Sequence, residues 1–101
     1  MKLVRDYIPE IIEADGRWCL TRKVHGPDEH MVMLREKILE EAQEFIENPC
    51  YEEAADMFEV IRAFCHLNNL DFKQVENTAQ RKREERGSFF RGIILQSVGD
   101  Q

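Results

Sequence analysis

The sequence predicts a mostly α-helical protein whose helices form an antiparallel bundle. Two stretches, residues 28–47 and 50–68, are rich in Ala, Leu, Glu, Met and Lys and contain neither Gly nor Pro, a composition that favours helix. Their apolar residues recur every three or four positions, which places them along one face of each helix. Only Asn48-Pro49 separates the two stretches, and helices joined by so short a turn pack antiparallel.

Two further helices are predicted on either side of this pair. Residues 3–14 show helical spacing of apolar side chains interrupted by a proline, which predicts a short or broken helix that ends at Asp15-Gly16. Asp71 is a suitable capping residue for a helix over 71–86, and Gly87 would end it.

Two segments have a weakly strand-like composition. Residues 18–24 and 88–95 contain Val, Thr, Ile, Trp and Phe, so a short two-stranded β ribbon is a candidate addition to the helices. The turn at 25–28 leads into the first central helix, and we expect Asp28 or a neighbour to cap it.

Length and composition limit the classes of function. A chain of 101 residues is predicted to form one domain, 1–101, of a size at which a second copy often completes the core. Its net charge of −6 argues against a protein that binds nucleic acid or anionic membranes through bulk charge. Signal-peptide and membrane-span patterns are both missing. The three cysteines have unrelated spacings, which predicts reduced thiols in a cytoplasmic setting.

The carboxylates of the two central helices follow a pattern that bears on chemistry. Glu40, Glu41 and Glu44 belong to the first helix, and their spacing brings their side chains together. Glu53 and Asp56, three residues apart, do the same on the second. At about 100° per residue, Glu41 lies roughly 60° from the centre of its helix's apolar stripe and Glu44 roughly 120°. Glu53 lies on the apolar stripe itself.

A carboxylate on a buried face requires a proton, a cationic partner or a metal ion, because an unpaired buried charge costs several kcal/mol. Antiparallel packing would bring the carboxylates of one helix opposite those of the other. Ligands that are all oxygens suit Mg²⁺ or Mn²⁺ far better than Zn²⁺. The alternative is an acidic face that is merely solvated.

The motif Glu40-Glu41-x-x-Glu44 followed by Glu53-x-x-Asp56 resembles the EExxE…ExxD signature of the MazG-like all-α nucleoside triphosphate pyrophosphohydrolases. This superfamily also contains the phosphoribosyl-ATP pyrophosphohydrolases. The opening residues 2–9 (KLVRDYIP) and the closing residues 82–89 (KREERGSF) look like the small house-cleaning branch. The resemblance therefore covers nearly the whole chain.

The resemblance implies a Mg²⁺-dependent hydrolase that cleaves nucleoside triphosphates, noncanonical ones or dNTPs among them, to a nucleoside monophosphate and pyrophosphate. By position, four residues would be ligands of Mg²⁺ (or Mn²⁺): Glu41, Glu44, Glu53 and Asp56. The catalytic acids would be Glu40 and Glu41, with Glu40 either supporting a ligand or helping to activate the attacking water. Relatives of this kind commonly form homodimers or homotetramers, and the same is expected here.

Basic residues are the candidates for contacts to the substrate's phosphates: Lys37, Lys82, Arg83, Arg86, Lys2 and Arg5. Lys37 has an alternative role as an ion-pair partner of Glu41, one helical turn away. The basic cluster at 81–86 also has an alternative role, because positive charges at the end of a helix complement the helix dipole.

Three other interpretations remain open from the sequence. A phosphoribosyl-ATP pyrophosphohydrolase would use similar metal chemistry. A non-catalytic helical module would bind an acidic partner or nucleic acid through residues 81–86, without a metal. A helical scaffold would simply expose its acidic stripe to solvent.

Overall fold

The computed structural model of the chain describes residues 1–100 and contains four helices: α1 (Ile8–Ala14), α2 (Pro27–Glu47), α3 (Tyr51–Leu67) and α4 (Phe72–Arg86). The predicted mostly α fold is confirmed. The described residues form two compact units, the first spanning Met1–Leu70 and the second beginning at Asp71. None of the helices within residues 1–100 has both the length and the hydropathy needed to cross a membrane.

Local signals in the sequence set the helix ends. The first predicted helix is shorter than expected: α1 begins at Ile8 because Pro9, which lacks an N–H group, belongs in the first turn of a helix. It is followed by Gly16, whose positive φ of 76° suits a residue without a side chain. The side chain of Asp71 accepts a hydrogen bond from the backbone N–H of Lys73 at 2.9 Å, which confirms the predicted cap of α4.

Of the residues predicted to cap α2, Asp28 or a neighbour, Asp28 itself is not the cap. The N-cap is Gly26, and Asp28 lies inside the first turn. Glu29 has the stabilising role instead, since it accepts hydrogen bonds from the backbone N–H of His25 at 2.8 Å and from the guanidinium of Arg22 at 2.8 and 2.9 Å. The hydrogen bonds from Arg22 lower the pKa of Glu29 to about 2. Together these contacts fasten the preceding loop to the start of α2.

The predicted β ribbon is also absent, because neither 18–24 nor 88–95 forms a strand in the part of the chain that the structure describes. Several apolar side chains of these segments point into solvent, including Trp18, Leu20 and Phe89. A strand needs a partner for its backbone N–H and C=O groups, and composition alone does not provide one.

The core of the first unit lies between α2 and α3, which pack against each other. Asn68, at the end of α3, donates to the sulfur of Met31, near the start of α2, at 3.5 Å, so the two helices are antiparallel as predicted. Leu34 and Cys65 are the most buried apolar residues. The helices also bury a third side chain, the carboxylate of Glu41.

Candidate metal centre

Carboxylates from both helices converge where α2 and α3 face each other. In one group, Glu41, Glu53 and Asp56 each provide an oxygen, and these oxygens all lie within 4.8 Å of one another. In a second group, Glu40, Glu41 and Glu44 each provide an oxygen, and these oxygens also lie within 4.8 Å of one another. Glu41 therefore joins the two groups, and the five acidic residues of the sequence motif form one continuous cluster.

Burial of Glu41 makes this cluster more than a solvated acidic face. The residue is only 6% exposed, and its Oε2 atom has no hydrogen-bond partner. The Oε2 atom of Glu53 is likewise buried and unpartnered. A buried polar atom without a partner costs about 1–3 kcal/mol and a charged one more, so these two oxygens are the atoms that a bound cation would stabilise most.

Two basic side chains partly neutralise the cluster. The ammonium of Lys37 lies 3.3 Å from Glu40 Oε1 and 3.5 Å from Glu41 Oε1. At the other end, Arg5 Nη2 donates to Asp56 Oδ1 at 2.7 Å. Five carboxylates thus share two cations, which leaves the cluster strongly acidic.

The pKa of the Glu41 carboxyl is raised above its ordinary value. Burial is the main cause, and the negative charges of Glu44 and Asp56 act in the same direction. The positive charge of Lys37 opposes the shift. Without a further cation, the environment of Glu41 therefore favours its protonated form.

The donor set fits a hard divalent cation. All the ligand atoms are carboxylate oxygens, as Mg²⁺ and Mn²⁺ prefer. The three oxygens already lie within 4.8 Å of one another, so side-chain rotation alone would bring them to the distance of about 2.0–2.1 Å at which oxygens bind Mg²⁺. Glu41, Glu53 and Asp56 would hold the ion, and Glu44 and Glu40 lie on its α2 side.

The structure places the predicted phosphate-binding residues in three regions. Lys37 pairs with the acidic cluster, which agrees with its alternative role as an ion-pair partner of Glu41. Arg5 also pairs with it, through Asp56, whereas Lys2 is exposed in the segment before α1. The remaining three are exposed on the last turns of α4, in the second unit: Lys82, Arg83 and Arg86.

Sequence reasoning missed the pairing of Arg5 with Asp56. The two residues are 51 positions apart, so no periodicity connects them. Their opposite charges were the only available signal, and the chain has many such combinations.

Comparison of the chain with protein-family models, with curated proteins and with solved structures finds no match. The resemblance to the MazG-like hydrolases therefore depends on the motif and the flanking segments themselves, and it stays a prediction.

Proposed function

We propose that this protein is a Mg²⁺-dependent pyrophosphohydrolase of the MazG-like type, which converts nucleoside triphosphates to nucleoside monophosphates and pyrophosphate. Noncanonical nucleotides and dNTPs are included among its substrates. The observation that supports this best is the convergence of Glu41, Glu53 and Asp56, with a buried and unpartnered oxygen on Glu41. Mg²⁺ is the proposed cofactor, and Mn²⁺ would substitute for it.

The chain's acidic residues would act by holding and orienting the cofactor. Glu41, Glu53 and Asp56 face a common point and would bind the ion, with Glu44 as a further ligand from α2. The ion would neutralise phosphate oxygens and lower the pKa of a coordinated water. Glu40, which is exposed and paired with Lys37, would either support a ligand or help to activate the attacking water.

Cationic side chains would complete the site by binding the triphosphate. Lys37 and Arg5 already lie at the cluster, within 3.5 Å of its carboxylates. The resemblance assigns further phosphate contacts to three basic residues of α4: Lys82, Arg83 and Arg86. Positive charge around the three phosphates would stabilise the charge that spreads over their oxygens during transfer.

An exposed apolar stripe on α2 supports assembly with a second copy. Val32, Leu39 and Ile46 stand seven residues apart and are 48%, 73% and 73% exposed. Residues at this interval lie on one side of a helix, where exposed apolar side chains favour packing against another helix. The α2–α3 pair would thereby become part of a larger bundle, as a homodimer or homotetramer. Mutual coverage of the stripe by two copies would remove this apolar surface from water.

A cytoplasmic location is also part of the proposal. The three cysteines are free, as the sequence predicted, and one of them, Cys65, is buried in the core. Free thiols of this kind are typical of reducing compartments.

The direct test is release of pyrophosphate from a panel of substrates with Mg²⁺ or with a chelator. The panel contains the common NTPs and dNTPs, damaged nucleotides, and phosphoribosyl-ATP. Metal-dependent release of pyrophosphate from a nucleoside triphosphate is the expected result. Preference for phosphoribosyl-ATP would favour the related pyrophosphohydrolase, and no release from any substrate would contradict the enzymatic proposal.

Two variants of α3 sharpen this test. Glu53→Gln removes a charge from the cluster and should lower turnover at least about 100-fold, with the helical content unchanged. Glu52→Gln removes the same charge from the neighbouring exposed position and should leave turnover within about twofold. Equal activity of the two variants would argue for a solvated acidic face.

A further inference from the structure

The ion pair between Arg5 and Asp56 joins the N-terminal segment to the acidic cluster. Arg5 lies before α1, and its Nη2 atom is 2.7 Å from Asp56 Oδ1. Both side chains are partly exposed, so the arginine can leave the carboxylate without breaking the core. Asp56 belongs to the oxygen group that includes the buried Glu41, whose Oε2 atom has no hydrogen-bond partner. The same carboxylate is therefore the partner of Arg5 and a proposed ligand of a metal ion.

A divalent ion and Arg5 would oppose each other at Asp56. An ion bound to either oxygen of Asp56 at about 2.1 Å would lie within roughly 5 to 7 Å of the guanidinium. Repulsion between the two cations, reduced by water and salt, weakens binding of the ion by roughly two- to tenfold. Arg5 also holds the carboxylate in place, but fixing one short side chain strengthens binding only about twofold. Repulsion is the larger effect.

We propose that Arg5 is a resident counter-ion of the acidic cluster, which a divalent ion displaces from Asp56, and that the released guanidinium then binds the triphosphate. This inference depends on the proposed metal site. It gives the protein an order of binding, in which the ion comes first and makes a phosphate-binding group available. Because coupling between two bound groups is reciprocal, removal of Arg5 must tighten binding of the ion.

The first experiment measures the affinity of the protein for Mn²⁺ alone by titration calorimetry. Arg5→Gln is expected to bind Mn²⁺ up to about fivefold more tightly than the unmodified chain, because relief of the repulsion is partly offset by the loss of positioning. Arg17→Gln is the matched control, since Arg17 is exposed and its ion pair is with Asp15, two residues away. It should bind Mn²⁺ as the unmodified chain does. Unchanged or weaker binding by Arg5→Gln would overturn the proposal, because Arg5 would then only position Asp56.

The second experiment follows the Arg5 guanidinium resonance by NMR during titration with diamagnetic Mg²⁺. The resonance, assigned by its loss in Arg5→Gln, should move toward the position of a solvated arginine as the ion binds. A resonance that stays in place at saturating Mg²⁺ would show that the ion pair persists, and would overturn the proposal.

A third variant separates failure of this inference from failure of the proposed function. If the unmodified chain binds Mn²⁺ and Glu53→Gln does not, the metal site exists, and the Arg5 results then decide the counter-ion role alone. If the unmodified chain binds no Mn²⁺, both the metal site and the counter-ion role are wrong.

Discussion

Lys37 lies one turn before Glu41 on α2, and its ammonium is 3.5 Å from the Oε1 atom of that buried carboxylate. The same ammonium is 3.3 Å from Glu40. The lysine side chain is itself only 18% exposed, so its charge acts in a region from which water is largely removed. Lys37 is therefore the main local counter-ion of Glu41.

Lys37→Met should destabilise the metal-free protein. Glu41 would lose its cationic partner while remaining buried, and we expect a loss of about 1–3 kcal/mol, below the value for a fully buried pair because Lys37 is partly exposed. Urea unfolding in the presence of a chelator measures this loss of unfolding free energy. Arg62→Gln, which breaks the exposed pair with Glu59 on α3, should cost less than about 0.5 kcal/mol. Similar losses for the two variants would show that the charge of Lys37 does not stabilise Glu41.

Mg²⁺ should stabilise the fold. An ion that binds only the folded state adds about 2.7 kcal/mol at one hundred times its Kd, which corresponds to a rise in Tm of roughly 10 °C for a chain of this size. Thermal unfolding with and without millimolar Mg²⁺ or Mn²⁺ measures the effect, and Glu53→Gln should abolish it while Glu52→Gln should not. If neither ion changes the Tm, the proposed metal centre loses most of its support.

The stability of the metal-free protein should depend on pH through Glu41. Its pKa is raised in the folded state, so folding favours the protonated carboxyl. That contribution is complete below the ordinary value of 4.5 and is lost as the pH rises through the raised pKa. The measurement is the difference in unfolding free energy between the unmodified chain and Glu41→Gln across this range.

Glu41→Gln should gain stability relative to the unmodified chain as the pH rises. The exposed control Glu36→Gln should show no such trend. A difference that is independent of pH would mean that Glu41 titrates as it does in the unfolded chain.

Leu39→Lys should weaken self-association without unfolding the monomer. Leu39 is the central residue of the exposed stripe, so a charge there would be solvated in the monomer and buried between copies. Analytical ultracentrifugation should show a shift toward monomer. Ile11→Lys, at an exposed apolar position on α1, is the control and should leave the oligomeric state unchanged. If the unmodified chain sediments as a monomer at all concentrations, the stripe has another role.

The helices were predictable from sequence because their signals are local. The ends of α2, α3 and α4 fall within one residue of the predicted positions, since capping residues, Gly and Pro act through neighbouring backbone groups. The β ribbon failed for the opposite reason: strand pairing joins distant segments, and apolar composition does not specify a partner. The true N-cap of α2 was missed because Asp28 is a better capping residue than Gly26 by composition alone.

The candidate site likewise has one part that the sequence predicts and another part that it does not. Convergence of Glu41 with Glu53 follows from helical spacing and the short turn between the helices, and both were readable from sequence. Glu41 is more buried than its position at the edge of the stripe suggested, because α3 packs against α2. Contacts of Arg5 depend on the path of the first 26 residues, which periodicity does not describe.

The three-residue connection between α2 and α3 has a consequence for biosynthesis. Glu41 and Asp56 are only fifteen positions apart, and segments so close in sequence meet quickly, because closing a short loop costs little entropy. If the cluster binds the proposed ion, its carboxylates would already be together in the nascent chain while α4 is still inside the ribosome. Ion loading would then accompany translation and guide maturation of the hairpin.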